Sequence, residues 1–506
     1  MIYPPYQEPF RPQFHFTPER NWMNDPNGMV FHEGEYHLFY QYNPFGDKWG
    51  HMSWGHAVST DLVHWEHLPV ALPEQGDVRI YSGSAVIDHA NTSGFGDNLQ
   101  PVMVAIYTGH REESKQNKRV EDQRLAFSSD RGRTWTHYSG NPVLDIGALD
   151  FRDPKVFWHE PAGRWIMIVV LPDHKKMRLY AAPDLKNWTQ LSEFGPAGAW
   201  HDPIIWECPD LFSLAVDGEP ETTKWVLIVN INPGGPAGGS GTQYFIGEFD
   251  GTRFAPDAQS PSESVLWLDH GSDFYAAVTW SNVPTSDGRR ILLGWMSNWA
   301  YTLDVPTSPW RSAMTVPRTL NLRRTPQGLR LAQAPVGELA GLRTEPPLVF
   351  AGGSFADAET WLYQQQSLPA CLDVEMTFSE VFADAPFVIK IHSGAGEVTA
   401  ISIDSKRNQL AVDRTHAGLK DFHPAFAASN RHEAPLEILN GALTIRFLLD
   451  TSSLELFAQD GLVALTELIF PSGGRRTISL SSEGGDALAM PKVCRICIYE
   501  LKSAVL

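Results

Sequence analysis

The sequence has few basic residues, few cysteines and no long apolar segment. Forty Lys and Arg stand against 59 Asp and Glu, which gives a formal net charge of −19. Nucleic acids and anionic membranes are bound through an excess of positive charge, so this balance disfavours both as partners. No segment is long and apolar enough to cross a bilayer. We therefore expect a soluble protein that acts on a neutral substrate.

The first residues also lack the basic start and apolar run of a signal peptide. We expect a cytoplasmic protein, with secretion and removal of a leader as the alternative. Cys494 and Cys497 form one isolated C-x-x-C, whereas a zinc site needs three or four ligands. We expect reduced core cysteines, no metal and no cofactor, and the sequence leaves the oligomeric state open.

A loose repeat runs through the first two thirds of the chain, where helical periodicity is scarce. In each copy a short apolar strand leads to a turn around an Asp and then to an aromatic residue. The copies are Ser59–Trp65, Ser128–Trp135, Ala182–Trp188 and, more weakly, Glu248–Phe254. Such a repeat, recurring about every 50 to 70 residues, is typical of a β-propeller with one copy per blade.

The repeat stops near Thr325, and a polar stretch rich in Pro and Gly follows over residues 326–345. A chain of 506 residues exceeds the size of one hydrophobic core. Beyond the stretch, Leu372, Val374, Met376 and Phe378 alternate with polar residues, as in the half-buried strands of a β-sandwich. We predict an all-β protein with a propeller over 1–325, a linker over 326–345 and a sandwich over 346–506. We expect the sandwich to be structural first and a sugar binder second.

The most informative motif is WMNDPNG, at Trp22–Gly28. Pro26 disfavours the helical conformation at Asp25, and Asn24 and Asn27 offer amides that can hydrogen-bond a carboxylate or a sugar hydroxyl. A carboxylate held at the end of a strand suits a glycosidase nucleophile. Taken alone, DPNG is also an ordinary turn sequence.

Two further acidic motifs follow, FRDP at Phe151–Pro154 and WECPD at Trp206–Asp210. In this order the three motifs resemble the family 32 glycoside hydrolases, which comprise invertases, inulinases, levanases and other β-fructosidases. The likeness extends along the chain through Gln41–Asn43, Trp49–Gly50, Trp54–His56, Tyr81–Ser84, Gly294–Trp299 and Ser308–Arg311. It implies a five-bladed propeller, followed by a lectin-like sandwich, with the acids on different blades and converging at the central channel.

The resemblance also implies the roles of the acids. Asp25 is the nucleophile, Glu207 the acid/base, and Asp153 the residue that stabilises the transition state. Retaining glycosidases use such a pair of carboxyl groups on the two sides of the bond. We expect Asn24 and backbone donors to keep Asp25 ionised, and burial beside Trp206 together with the nearby negative acids to keep Glu207 protonated.

By the same resemblance, further residues bind the substrate: Asn24, Gln41, Trp49, Tyr81, Ser82, Arg152, Cys208, Tyr275 and Trp295. Tyr81 departs from the family, which often has Phe there. The stretch from Asp273 to Arg311 looks more like bacterial levanases and exo-inulinases than plant invertases. We therefore expect exo-acting hydrolysis of fructans such as levan and inulin, with sucrose as a lesser substrate.

Three alternatives stay open at this point. The first is an invertase-type sucrose hydrolase, and the second is a fructosyltransferase, in which a sugar replaces water. The third belongs to another class: a noncatalytic fructan-binding protein. The presence of all three acids disfavours it, because such relatives usually lose one.

Overall fold

β-Strands make up most of the structure, and helices are few. The computed structural model describes residues 4–96, 100–113, 118–257, 265–365, 367–381, 386–394, 396–438, 440–482 and 490–505. The first 23 strands of this part of the chain form a five-bladed β-propeller, and the next 11 form a β-sandwich. The all-β prediction and the two-part architecture are therefore confirmed.

Each blade is built on four antiparallel strands in chain order, the first lining the central channel. Blade 1 contains β1 (Asn21–His32), β2 (Glu35–Asn43), β3 (Ser53–Ser59) and β4 (Glu66–Leu72). Blade 2 contains β5 (Arg79–Asp88), β6 (Val102–Glu113), β7 (Lys118–Ser128) and β8 (Thr136–His137). Blade 3 contains β9 (Arg152–His159), β10 (Arg164–Leu171), β11 (Lys176–Ala182) and β12 (Thr189–Phe194).

The last two blades carry additional short strands. Blade 4 contains β13 (Ile205–Val216), β14 (Glu219–Asn232), β15 (Gly241–Phe249), β16 (Phe254–Pro256) and β17 (Leu266–Trp267). Blade 5 contains β18 (Tyr275–Thr279), β19 (Arg290–Met296), β20 (Trp310–Arg311), β21 (Ala313–Met314), β22 (Arg318–Thr325) and β23 (Gly328–Pro335). The strand β20 pairs in parallel with β1, so the ring is closed between blade 5 and blade 1.

The repeated Asp turn joins the third and fourth strands in four of the blades. In blade 1 the Asp61 carboxylate accepts the amide of His64 at 2.8 Å. Asp130, Asp184 and Asp250 accept amides three or four residues later in the same way. A short acceptor side chain fixes such a turn by satisfying amides that the strands leave free. The repeat seen in the sequence therefore marks one equivalent corner of each blade.

The sandwich packs two antiparallel sheets around one apolar core. The first has the order β24 (Leu348–Phe350), β34 (Lys492–Glu500), β25 (Leu372–Ser379), β30 (Leu443–Leu449), β31 (Ser453–Ala458) and β32 (Val463–Leu468). The second has the order β29 (Arg431–Pro435), β28 (Gln409–His416), β27 (Glu397–Asp404), β26 (Phe387–Ser393) and β33 (Arg476–Ser482). The alternating side chains of β25 face this core, as the sequence pattern predicts.

The helical segments are short. The α-helices are α1 (Phe355–Gln364) and α2 (Pro424–Ala428), and the 3₁₀ turns are Glu160–Ala162, Pro172–His174, Thr302–Asp304 and Gly337–Leu342. The helix α1 begins at a capping box, in which Ser354 and Asp357 bond each other's backbone amides. No helix in the described ranges is long and apolar enough to cross a membrane.

The end of the propeller lies further along the chain than Thr325. The strand β23 pairs with β22 over its whole length, from Thr325 opposite Gly328 to Arg318 opposite Pro335. Residues 326–335, the first half of the stretch assigned to the linker, are thus the turn and outer strand of a hairpin, and the second half contains the 3₁₀ turn Gly337–Leu342. We therefore place the propeller's end at Pro335. An outer strand exposes one face to water, so its sequence is partly polar and resembles that of a linker.

All four cysteines are free. Cys208, Cys371 and Cys497 are buried, as expected for core cysteines, whereas Cys494 is exposed.

Candidate active site

Each of the five inner strands contains one extra residue at the same end of the channel. Relative to its neighbouring strand, the register shifts by one between these positions: Met23 and Pro26 in β1, Ile80 and Gly83 in β5, Arg152 and Lys155 in β9, Glu207 and Asp210 in β13, and Tyr275 and Val278 in β18. A β-bulge bends a strand and redirects a side chain. Five bulges at one level therefore gather the polar side chains of all five blades.

Asp25 lies in the first of these bulges and is held by three donors. The indole of Trp22 donates to Asn24 Oδ1 at 2.7 Å, which turns the Asn24 amide so that it donates to Asp25 Oδ1 at 3.0 Å. The Ser82 hydroxyl donates to Asp25 Oδ2 at 2.7 Å. The thiol of Cys208 lies 3.5 Å from the same oxygen. These contacts fix both oxygens of the carboxylate.

Burial and the nearby charge of Glu207 raise the pKa of Asp25, whereas the hydrogen bonds from Ser82 and Asn24 lower it. The hydrogen bond through which Asn24 is predicted to keep Asp25 ionised is thus present in the structure. The shift still goes upward, because the carboxylate lies among other acids in a place with little water.

Asp153 occupies the bulge of β9 with a left-handed backbone, φ 65°. Its amide donates to Thr108 Oγ1 at 3.0 Å, and its Oδ2 accepts the Cys208 amide at 2.9 Å. Burial, together with the charges of Glu207 and Asp25, raises the pKa of Asp153 to about 8, although Arg152 opposes this shift. The site therefore retains a proton among its acids near neutral pH.

Cys208 bridges two of the acids. Its sulfur lies 3.5 Å from Asp25 Oδ2 and 3.6 Å from Asp153 Oδ2. Burial and the charges of Asp153 and Asp25 raise the pKa of Cys208 well above its usual value. The side chain therefore stays a neutral thiol and acts as a weak donor to the carboxylates.

Glu207 is held on both of its oxygens. Arg152 donates from Nε at 3.1 Å and from Nη2 at 2.9 Å to Oε1, and the Tyr275 hydroxyl donates to Oε2 at 2.5 Å. The prediction that Trp206 encloses this carboxyl is wrong. Trp206 faces the apolar core between blades 3 and 4, where its indole donates to Ala199 O at 2.8 Å, because successive side chains of a strand point to opposite faces.

Two predicted aromatic residues lie at the rim of the site. Trp49 is 40% exposed, and its ring meets that of Tyr81 edge to face, with centroids 6.1 Å apart. On its other side Tyr81 stacks on His110, with centroids 4.4 Å apart and planes 8° from parallel. The hydroxyl that distinguishes this position from the family's Phe is therefore carried by a ring fixed between two neighbours.

Two other predicted residues make no hydrogen bond to the three acids. Gln41 donates to Ile80 O at 3.0 Å, next to the bulge of β5. Trp295 is fully buried against Tyr275 and Trp22, and its indole N–H has no partner in the described part of the chain. Trp295 thus packs against Tyr275, the residue that donates to Glu207.

The sequence did not single out several residues that support the site. Asn27 was noted only for its amide; it donates to Asp25 O at 2.5 Å and accepts the Gly83 amide at 3.0 Å. Membership of the WMNDPNG motif could have indicated this role. Thr108 and Glu121 lie outside every motif, and no sequence signal pointed to them.

Among the described residues, no group of three or more His, Cys, Asp or Glu side chains is arranged to hold a metal ion. The acids instead form hydrogen bonds to Ser82, Arg152, Tyr275 and the Cys208 amide. Such an arrangement offers carboxyl groups for nucleophilic and acid/base chemistry.

Comparison with known proteins gives matches along nearly the whole chain. The profile of the glycosyl hydrolases family 32 N-terminal domain matches residues 15–335, and that of the family's C-terminal domain matches residues 354–494. A levanase of Bacillus subtilis (strain 168) is 46% identical over 499 residues, covering 98% of this chain and 71% of the levanase. The extracellular exo-inulinase of Aspergillus ficuum is 40% identical, covering 95% of this chain and 93% of that protein.

The fold has a close counterpart among solved structures. The crystal structure of the exo-inulinase from Aspergillus awamori superimposes with a TM-score of 0.88 at 37% sequence identity, covering 99% of both chains. The similarity therefore includes the sandwich as well as the propeller.

Proposed function

The chain belongs to glycoside hydrolase family 32, and on that premise we propose that it is an exo-acting, retaining β-fructosidase of fructans and sucrose. One observation carries the proposal. Asp25, Asp153 and Glu207 come from three blades. Asp25 and Asp153 meet at the thiol of Cys208, and Glu207, the preceding residue of β13, lies close enough for its charge to raise the pKa of both. Three carboxyl groups with different partners can divide the work of glycoside hydrolysis.

In the first step, Asp25 attacks the anomeric carbon of a terminal fructosyl unit, and Glu207 gives its proton to the leaving oxygen. Ser82 and Asn24 hold Asp25 in place for this attack. Glycosidic bonds break through a positively charged, oxocarbenium-like transition state, which the neighbouring acids stabilise. Asp153 is held by the Cys208 amide and accepts hydrogen bonds from hydroxyls of the sugar.

In the second step, the fructosyl–Asp25 ester is hydrolysed. Glu207, now ionised, takes a proton from water, and the water oxygen attacks the anomeric carbon and releases Asp25. Arg152 and Tyr275 keep the Glu207 carboxylate oriented while its charge changes. Two inversions at one carbon give overall retention.

The proposal of exo action rests on the relatives, which include an extracellular exo-inulinase 40% identical to this chain. A small cavity of about 20 Å³ lies against Asp153 and Cys208 and is lined also by Pro26, Ser82 and Thr279. An exo-acting enzyme accepts the end of a chain and releases one unit at a time.

A time course of products from levan, inulin and sucrose tests the proposal. We expect fructose as the sole early product from both polymers, with sucrose cleaved at a lower kcat/KM. Oligosaccharides as early products would contradict exo action, and products of the kestose type at high sucrose concentration would favour fructosyl transfer. Binding of fructan without any cleavage would favour the noncatalytic alternative.

A further inference from the structure

We propose that Glu121 is a positioning residue for Glu207: it holds Arg152 and balances part of the Arg152 charge, so that Arg152 favours the ionised form of Glu207 less strongly. The proposal rests on the proposed function, in which Glu207 is the acid/base. Glu121 lies in β7, the third strand of blade 2, outside the ring of inner strands.

The Glu121 carboxylate is fixed on both oxygens. Its Oε2 accepts the amide of Phe151 at 2.8 Å and Nη1 of Arg152 at 3.3 Å. Its Oε1 lies 3.1 Å from Nδ1 of His110. Only 2% of the residue is exposed, so the carboxylate is buried together with these partners. A buried charge of this kind is retained only when it is paired.

The Arg152 guanidinium is shared among three carboxylates. Nε and Nη2 bind Glu207, and Nη1 binds Glu121 and also Asp150, the latter at 3.1 Å. The planar fork of an arginine fixes the relative directions of its partners. The position of Glu121 therefore determines how Arg152 presents its other edge to Glu207.

The sharing of charge also bears on catalysis. An arginine paired with a single carboxylate favours the ionised form of that carboxylate, which is the wrong form for a general acid. Burial alone would raise the pKa of Glu121, but the hydrogen bond from His110 and the charge of Arg152 lower it. Glu121 is therefore ionised and offsets part of the Arg152 charge near Glu207.

The groups that face this pair come from several elements. Around Glu207 they are Asp25 of β1, Arg152 and Asp153 of β9, Cys208 of β13 and Tyr275 of β18. Around Glu121 they are His110 of β6, Tyr81 of β5, Arg152 of β9 and Asp150 in the preceding loop. Arg152 is the residue that joins the two sets.

The substitution Glu121→Gln tests the proposal, because Gln keeps the shape and an acceptor for Phe151 and Arg152 but removes the charge. In sucrose hydrolysis, the basic limb is the fall of kcat/KM toward high pH. We expect this limb to move to lower pH by about one unit in the variant, since Arg152 then favours ionised Glu207 more strongly. On the acidic side of that limb, kcat/KM stays within a few-fold of wild type.

Asp122→Asn is the matched control. Asp122 is the next residue of β7, is fully buried, and pairs with Arg111 and Arg124 instead of Arg152. A purely structural effect of losing a buried carboxylate would lower the melting temperature of both variants and leave the basic limb in place. That result for Glu121→Gln would overturn the proposal.

Asp150→Asn gives a second test that does not depend on the folding of Glu121→Gln. Asp150 binds the same Arg152 nitrogen but is partly exposed, so its charge is more strongly screened. We expect a shift in the same direction and smaller. If the basic limb stays at the wild-type pH in both variants, the proposed role of Glu121 is overturned and the proposed function is not affected. If the wild-type protein does not hydrolyse sucrose, the proposed function itself is overturned.

Discussion

The hydroxyl of Tyr275 donates to Oε2 of Glu207 at 2.5 Å, across the boundary between blade 5 and blade 4. Arg152, from blade 3, binds the other oxygen of the same carboxyl. The proposed acid/base is thus oriented by two neighbouring blades. Burial and the charge of Glu207 raise the pKa of Tyr275 well above its usual value, so the hydroxyl keeps its proton and remains a donor.

Tyr275→Phe should lower kcat by about 10- to 100-fold, because a hydrogen bond to a charged group contributes roughly 1.5 to 3 kcal/mol. The Tyr275 hydroxyl favours the ionised form of the Glu207 carboxyl. Removing this hydroxyl should therefore move the basic limb of the pH profile to higher pH, in the opposite direction to Glu121→Gln. Steady-state kinetics from pH 4 to 9 checks both. The control is Tyr107→Phe, whose buried hydroxyl binds His137 outside the site; equal losses in the two variants would count against a specific role of Tyr275.

Asp25→Asn should retain the fold and bind sugar but lose nearly all turnover, by about 10⁴-fold or more, because the covalent step needs a carboxylate nucleophile. Asn has the same shape and can still accept the Ser82 hydrogen bond, although its NH2 group cannot accept the bond from Asn24. Hydrolysis rates, melting temperature and fructose binding are the measurements. Activity within tenfold of wild type would remove Asp25 from the mechanism.

Dialysis against a chelator should leave hydrolysis intact. The acids of the site hydrogen-bond to side chains and amides of the chain itself, and the reaction as proposed uses only their carboxyl groups. Rates measured before and after EDTA treatment, with EDTA removed before assay, check this. A loss of activity that Ca²⁺ or Zn²⁺ restores would reveal a metal site.

The contact between propeller and sandwich should weaken at alkaline pH. His15, before β1, lies 2.8 Å from Asp450 and 2.7 Å from Glu455 of the sandwich, so both ring nitrogens face acceptors. Burial alone would lower the pKa of His15, but these bonds raise it to about 9. A raised histidine pKa stabilises the folded state fully below about pH 6.5, and this stability is lost as pH rises through about 9.

The size of this contribution is about 3 kcal/mol at pH 6. His15→Gln should therefore melt well below wild type at pH 6, and the difference should shrink by pH 10. His51→Gln serves as the control, since His51 pairs with Glu74 at an exposed position and exposed pairs contribute little. A difference that does not change with pH would show that His15 acts by packing alone.

Much of the architecture could be predicted from local patterns. The Asp turns at Asp61, Asp130 and Asp184 are visible because the carboxylate and the amides it accepts lie within a few residues. The alternation in Leu372–Ser379 is visible because one face of that strand is buried and the other is not. The hairpin of β22 and β23 was not predicted, because the sequence of a polar outer strand resembles that of a linker.

The sequence by itself determined which residues are proposed to carry the chemistry, because the three acids stand in recognisable motifs. Only the tertiary structure decided their geometry. Whether Trp206 or Arg152 lies against Glu207 depends on the bulge of β13, and the bond between Glu121 and Arg152 joins strands of two blades. Contacts between blades arise from packing over long sequence separations, and they leave no periodicity or motif in either segment.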